Sequence, residues 1–196
     1  MTIVLTGAAG FLGRAFLRTA RQNGAAVRAL VRHRPLDAVE HAWAETRAGN
    51  LARPETLHGL VHAGDVLVHA AAMVDLNADW SAHQRDTIDA TANLLDAALP
   101  ANPARIVYVS SAAVYGTRCE GVIRAGRTTP RPGHDDRYGR AKLAAERLVQ
   151  SRCAAARVQW TVIRLGFLYG PENRAMADGL RVLKSRRRLR IVGSGL

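Results

Sequence analysis

The chain has 196 residues, 48% of them hydrophobic and 22% charged, with a formal net charge of +12. That length and balance fit one compact soluble domain and exclude a disordered or fibrous chain. The apolar runs are broken by Arg, Gly or Asp well short of the ~20 residues a membrane span needs, so no membrane partner is expected.

In chain order, short β-branched runs alternate with longer segments of helical spacing. Strands are predicted at 2–7 (TIVLTG), 26–32 (AVRALVR), 65–71 (DVLVHAA), 105–111 (RIVYVSS) and 159–165 (QWTVIRL), with a weak additional strand in HAWAETRAGN (41–50). Helices are predicted at 11–23, 54–62, 80–99, 137–155 and, with the least support, 174–186. Right-handed βαβ units then give an α/β fold: a doubly wound parallel sheet of Rossmann type with helices on both faces. Ligands bind such a sheet beyond the carboxyl ends of its strands, and the unusual residues of this chain fall there.

The first strand runs into TGAAGFLGR, placing Gly7, Gly10 and Gly13 with two residues between each pair, one more than the dinucleotide fingerprint has between its first two glycines. Gly7 permits a tight turn, Gly10 admits a pyrophosphate to the backbone, and Gly13 lets helix and strand pack closely. The helix N-terminus, with Phe11 and Leu12, supplies N–H donors to the anion. The second strand ends LVRHRP, with no acid before Asp37 to hold ribose hydroxyls. Arg32 and Arg34 are placed to pair with a 2′-phosphate, which favours NADP, with NAD as the alternative.

Ser110 and Ser111 close the fourth strong strand, and Tyr138 stands four residues before Lys142 on one face of a helix. A neighbouring ammonium is expected to lower the pKa of the phenol toward a useful acid–base range. Ser111 is positioned to hold a substrate oxygen as charge develops on it.

TGAAGFLGR, HAAA (69–72), SSAAVYG (110–116), YGRAK (138–142) and IRLGFLYGPEN (163–173) stand in the order and spacing of the extended short-chain dehydrogenase/reductases, which the whole chain resembles. The resemblance implies Ser111 as catalytic serine with Ser110 as its structural neighbour, and Tyr138 as the acid–base. Lys142 would hold the nicotinamide ribose and tune Tyr138. It further implies that backbone at His69, Ala70 and Ala71 passes beside the cofactor and that Asn50 and Leu51 contact adenine, with Asn50 where the family usually has Asp. Leu165 lies at the cofactor site in place of the usual proline, and Thr87 replaces a common Asn.

The implied enzyme is an NAD(P)-dependent oxidoreductase, epimerase or dehydratase acting on a small molecule, a nucleotide sugar or another carbonyl compound. A non-catalytic dinucleotide-binding or regulatory module is the alternative. Family members continue further, so residues 1–166 are expected to form the cofactor-binding domain and 167–196 the beginning of a substrate-binding portion that is otherwise absent, either because the chain is a fragment or because it is a short form. A homodimer through helices 80–99 and 137–155 is implied, and a cytoplasmic location is expected from the strand-like start and two unpaired cysteines, Cys119 and Cys153. No metal site is expected: His58 and His62 share a predicted helix face but lack a third ligand. His134, Asp135 and Asp136 read as a solvated loop, and KSRRRLR (184–190) as a solvated helix end rather than a nucleic-acid interface.

Overall fold

The computed structural model describes residues 1–33, 35–116, 122–170 and 173. The chain divides into two units, Met1–Gly166 and Phe167–Leu196. Arg34, Cys119 and the helix expected at 174–186 lie outside the described residues.

Six parallel strands form one sheet: β1 Ile3–Thr6, β2 Val27–Val31, β3 Glu45–Ala48, β4 Val66–His69, β5 Arg105–Ser111 and β6 Gln159–Leu165. Their order is β3-β2-β1-β4-β5-β6, so the winding reverses between β1 and β4. This is the doubly wound Rossmann arrangement, with its switch point between those strands. Helices α1 (Phe11–Gln22), α2 (Ala38–His41), α3 (Trp80–His83), α4 (Ala90–Ala98) and α5 (Arg137–Ala156) complete it, with a π-helical segment, Gln84–Asp89, joining α3 to α4.

Alternation along the strands builds a core on each face. On β1, Val4 enters a cluster with Leu94 and Leu95 of α4 and Ala145, Val149 and Cys153 of α5. Its neighbour Leu5 points the other way, to Leu17 and Ala20 of α1. The i, i+4, i+8 run Ala145, Val149, Cys153 is the apolar stripe of α5, and small Ala141 above it lets the helix sit close to the sheet.

Two expectations change. The weak strand is real, but it is an edge strand whose Glu45, Arg47 and Ala48 are exposed, so it carries no apolar signal. The helix expected at 54–62 is only a 3-10 turn, Pro54–Leu57. Leu57, Leu60 and Val61 are buried and mimic helical spacing, yet Gly59 at φ +66° reverses the backbone between them. His58 and His62 therefore do not share a helix face.

A candidate dinucleotide and acid–base site

At the switch point, the turn after β1 packs backbone to backbone against the strand end of β4. Gly7 has φ +73°, and a Cβ there would lie 2.8 Å from both the carbonyl carbon of Ala70 and the nitrogen of Ala71. A Cβ on Gly13 would run into Ala8 Cα and the Gly7 carbonyl oxygen, so α1 sits as close to the turn as a glycine permits. Gly10 is the N-cap of α1 and provides no side-chain cap, which leaves first-turn N–H groups, those of Phe11, Leu12 and Gly13, for an anion. This cradle, closed to any side chain at Gly7 and Gly13, fits a dinucleotide pyrophosphate.

A buried polar chain fixes the opposite wall. Thr91 Oγ1 donates to the Thr87 carbonyl at 2.6 Å, so toward His69 it must accept, from Nε2–H at 3.0 Å. That tautomer leaves Nδ1 of His69 to accept from Thr6 Oγ1 at 2.7 Å, and Thr6 Oγ1 in turn accepts from the Ala71 N–H at 3.3 Å. Burial, with Lys142 nearby, pushes the His69 pKa down to about 3, so the ring is neutral. Thr87, in the π-helical segment, accepts from the Met73 N–H at 3.0 Å. A polar contact to the loop after β4 is thus made at this position without the common Asn.

Beyond the ends of β2 and β3 a cleft of about 330 Å³ is lined by Arg32, His33, Ala48, Gly49, Asn50, Arg53 and Thr56. Arg32 is exposed and lines this cleft together with Asn50. Arg53 escaped the sequence reading, since only the turn around Asn50 brings it back. Asn50 Oδ1 accepts from the Ala52 N–H at 3.0 Å, which leaves its amide donor for a ligand. Leu51 faces away from any such contact through its carbonyl, which accepts from Asn93 at 2.8 Å, and it packs against the α4–α5 core.

Ser111 ends β5 and caps a 3-10 turn, Ala112–Tyr115, by accepting from the Ala113 N–H at 3.2 Å. Asp136 caps α5, accepting from Gly139 N–H at 2.7 Å. A Cβ on Gly139 would come within 2.7 Å of the Ala113 carbonyl oxygen, so the first turn of α5 lies directly on the turn that begins at Ser111. That contact places Tyr138 against Ser111. Burial raises the Tyr138 pKa; the neighbouring Ser111 hydroxyl offsets part of this, and the nearby Asp136 carboxylate adds to the rise.

Lys142 departs from the expected geometry. It is 2% exposed, and its amine donates to the Val109 carbonyl at 2.6 Å and lies 4.3 Å from the Tyr108 ring centroid. Burial lowers its pKa to about 7, while Glu146 raises it in part. The anticipated lowering of the Tyr138 phenol by Lys142 is absent, because the amine satisfies itself against β5 and burial governs the phenol. Leu165 is half-buried at the end of β6, paired in register with Ser111. His134 and Asp135 form a fully exposed pair away from any core contact, and Asp136 is committed to its cap.

The description of the NAD dependent epimerase/dehydratase family matches residues 3–196. A ketoreductase of Stigmatella aurantiaca, acting by its name on 4-hydroxy-2-methyl-3-oxo-4-farnesyl-3,4-dihydroquinoline-1-oxide, is 30% identical over 100% of this chain and 58% of its own length. Among solved structures, a UDP-galactose 4-epimerase superposes with a TM-score of 0.81 at 26% identity, covering 94% of this chain and 63% of that one. MoeE5 in complex with UDP-glucose and NAD gives a TM-score of 0.73 at 30% identity, covering 94% and 60%. The chain spans a little over half the length of these proteins. A glycine cradle at the switch point, a serine and tyrosine brought side by side at the end of β5, and a family match over nearly every residue lead to one conclusion: the chain belongs to the NAD-dependent epimerase/dehydratase family, within the extended short-chain dehydrogenase/reductases.

Proposed function

We propose that residues 1–166 bind a nicotinamide dinucleotide, that 167–196 begin a substrate-binding portion, and that the protein catalyses hydride transfer at a carbonyl or alcohol carbon of a small molecule. The observation that carries this reading is the packing of the first turn of α5 onto the turn begun by Ser111, where a Cβ on Gly139 would meet the Ala113 carbonyl oxygen, which sets Tyr138 beside Ser111 at the carboxyl end of β5. A bound dinucleotide would supply or accept the hydride. Gly7, Gly10, Gly13 and the first-turn amides of α1 hold its pyrophosphate, Asn50 and Arg32 its adenosine end, and the backbone of His69 to Ala71 its nicotinamide half. Tyr138 passes the proton to or from the substrate oxygen, and Ser111 donates to that oxygen as charge develops on it. Burial suits Tyr138 to the role of acid, since its raised pKa keeps the proton in place until the oxygen takes it. Lys142, with a pKa near 7, gives and takes a proton at neutral pH at the base of the site.

The basic lining of the adenosine cleft, which holds Arg32 and Arg53 and no acid, favours NADP over NAD. Nucleotide sugars are one substrate class, since MoeE5 binds UDP-glucose; the Stigmatella relative points to ketones outside that class. A homodimer belongs to the same reading and is checked by light scattering of the purified chain.

Tyr138→Phe tests the chemistry. NADPH binding, followed by fluorescence, should stay within about twofold of wild type, while turnover on a carbonyl panel falls roughly 10²- to 10⁴-fold. Near-normal turnover refutes the role given to Tyr138. Stoichiometric loss of absorbance at 340 nm marks a reductase, and turnover without net change marks an epimerase or dehydratase. Tight binding with no turnover on any substrate favours the regulatory module.

A further inference from the structure

Tyr138, Lys142 and Glu146 follow one another at successive turns of α5, and Glu146, like Lys142, faces inward, at 0% exposure. Its carboxylate is gripped by the Arg164 guanidinium of β6, with Nε at 3.0 Å from Oε1 and Nη2 at 2.7 Å from Oε2. The same guanidinium donates from Nη1 to the Tyr115 hydroxyl at 2.6 Å and stands 5.0 Å from the centroid of that ring. Tyr115 closes the turn that starts at Ser111. One guanidinium therefore ties together the turn after Ser111, the helix of Tyr138 and Lys142, and β6.

Stability alone is a poor reason for such a pair. Desolvating two charges costs several kcal/mol, and apolar replacements of buried ion pairs are often neutral or stabilising. What the position does offer is control over the next turn of the helix. The groups facing Lys142 are Tyr108 from β5, the neutral His69 from β4, and Glu146 from its own helix. Of these, Glu146 is the one that carries a negative charge, and Arg164 cancels it from the far side.

We propose that Arg164, held by Tyr115, is a positioning residue that sets the charge felt by Lys142 through Glu146. The proposal rests on the reading of Lys142 as part of the proton-handling site, but its primary test does not. Glu146→Gln keeps the shape and one acceptor oxygen for Arg164 but removes the charge, so Lys142 should lose protons more easily, by about one pH unit. Arg164→Gln exposes Lys142 to an uncancelled carboxylate and should move it about one unit the other way.

The chain has two lysines, Lys142 and Lys184, so ¹³C-lysine labelling of the full chain gives two titrating signals that a Lys184→Arg variant assigns. Opposite shifts in the two Gln variants support the inference. Shifts of both toward the ordinary lysine value, as a merely loosened core would give, or no shift in either, overturn it. Should Arg164→Gln fail to fold, Glu146→Gln decides alone: a fall supports the inference, and no change or a rise overturns it. The pH dependence of turnover should follow the same two directions. Opposite shifts without that response leave the charge coupling standing and refute instead the part given to Lys142 in catalysis.

Discussion

In the unfolded chain the Lys142 amine ionises near its ordinary 10.5, whereas in the fold burial lowers this to about 7. Between those values the unfolded state binds a proton that the folded state lacks, so stability rises with pH across that window. Denaturant titrations should show about 2 kcal/mol more stability at pH 9 than at pH 7 from this group alone. Lys142→Met should lose that rise, and at pH 7 it should be as stable as wild type or more so, the usual trade at a site shaped for chemistry. An equal rise in the variant would show that Lys142 is not the source. The amine was legible as a functional candidate from its spacing to Tyr138. Its partners were not, because Val109 offers a backbone carbonyl and Arg164 lies 22 positions beyond, on another strand. His69 was legible only as a stretch of backbone; the tautomer that locks it between Thr6 and Thr91 depends on three elements meeting.

The turn after β1 illustrates what an element requires. Gly13→Ala would press a methyl group into the backbone of Gly7 and Ala8, where nothing flexible can yield. A loss of about 1–3 kcal/mol should result, together with weakened dinucleotide binding as α1 backs away from the turn. Gly24→Ala is the control, because its positive φ of +64° is strained but no atom lies within 4 Å of the new methyl group, so binding should be unaffected. Equal effects of the two variants on binding would argue against the cradle. At this scale the strong strands and the longer helices were readable because each presents a complete apolar period. The edge strand β3 was faint since its exposed residues need no apolar face, and Gly59 broke a helix that Leu57, Leu60 and Val61 appeared, by spacing, to support. The π-helical segment left no trace in the sequence pattern, yet it carries Thr87 to the loop after β4.

At the scale of the molecule, six parallel strands with a reversal between β1 and β4 place the glycine cradle, the adenosine cleft and the Ser111–Tyr138 pair on one edge of the sheet, the carboxyl edge. Topology brings together residues more than a hundred positions apart, which is why their order and spacing, rather than any single motif, made the family legible. The account stands on the reactive end of the dinucleotide reaching Tyr138. Intermolecular NOEs between the nicotinamide ring of bound NADPH and ¹³C-tyrosine-labelled protein measure this directly, with four tyrosines to resolve and Tyr138→Phe to assign the signal. The account predicts a cross-peak from the nicotinamide H4 protons to the Tyr138 ring that vanishes in the variant; saturated binding with no such cross-peak would contradict it.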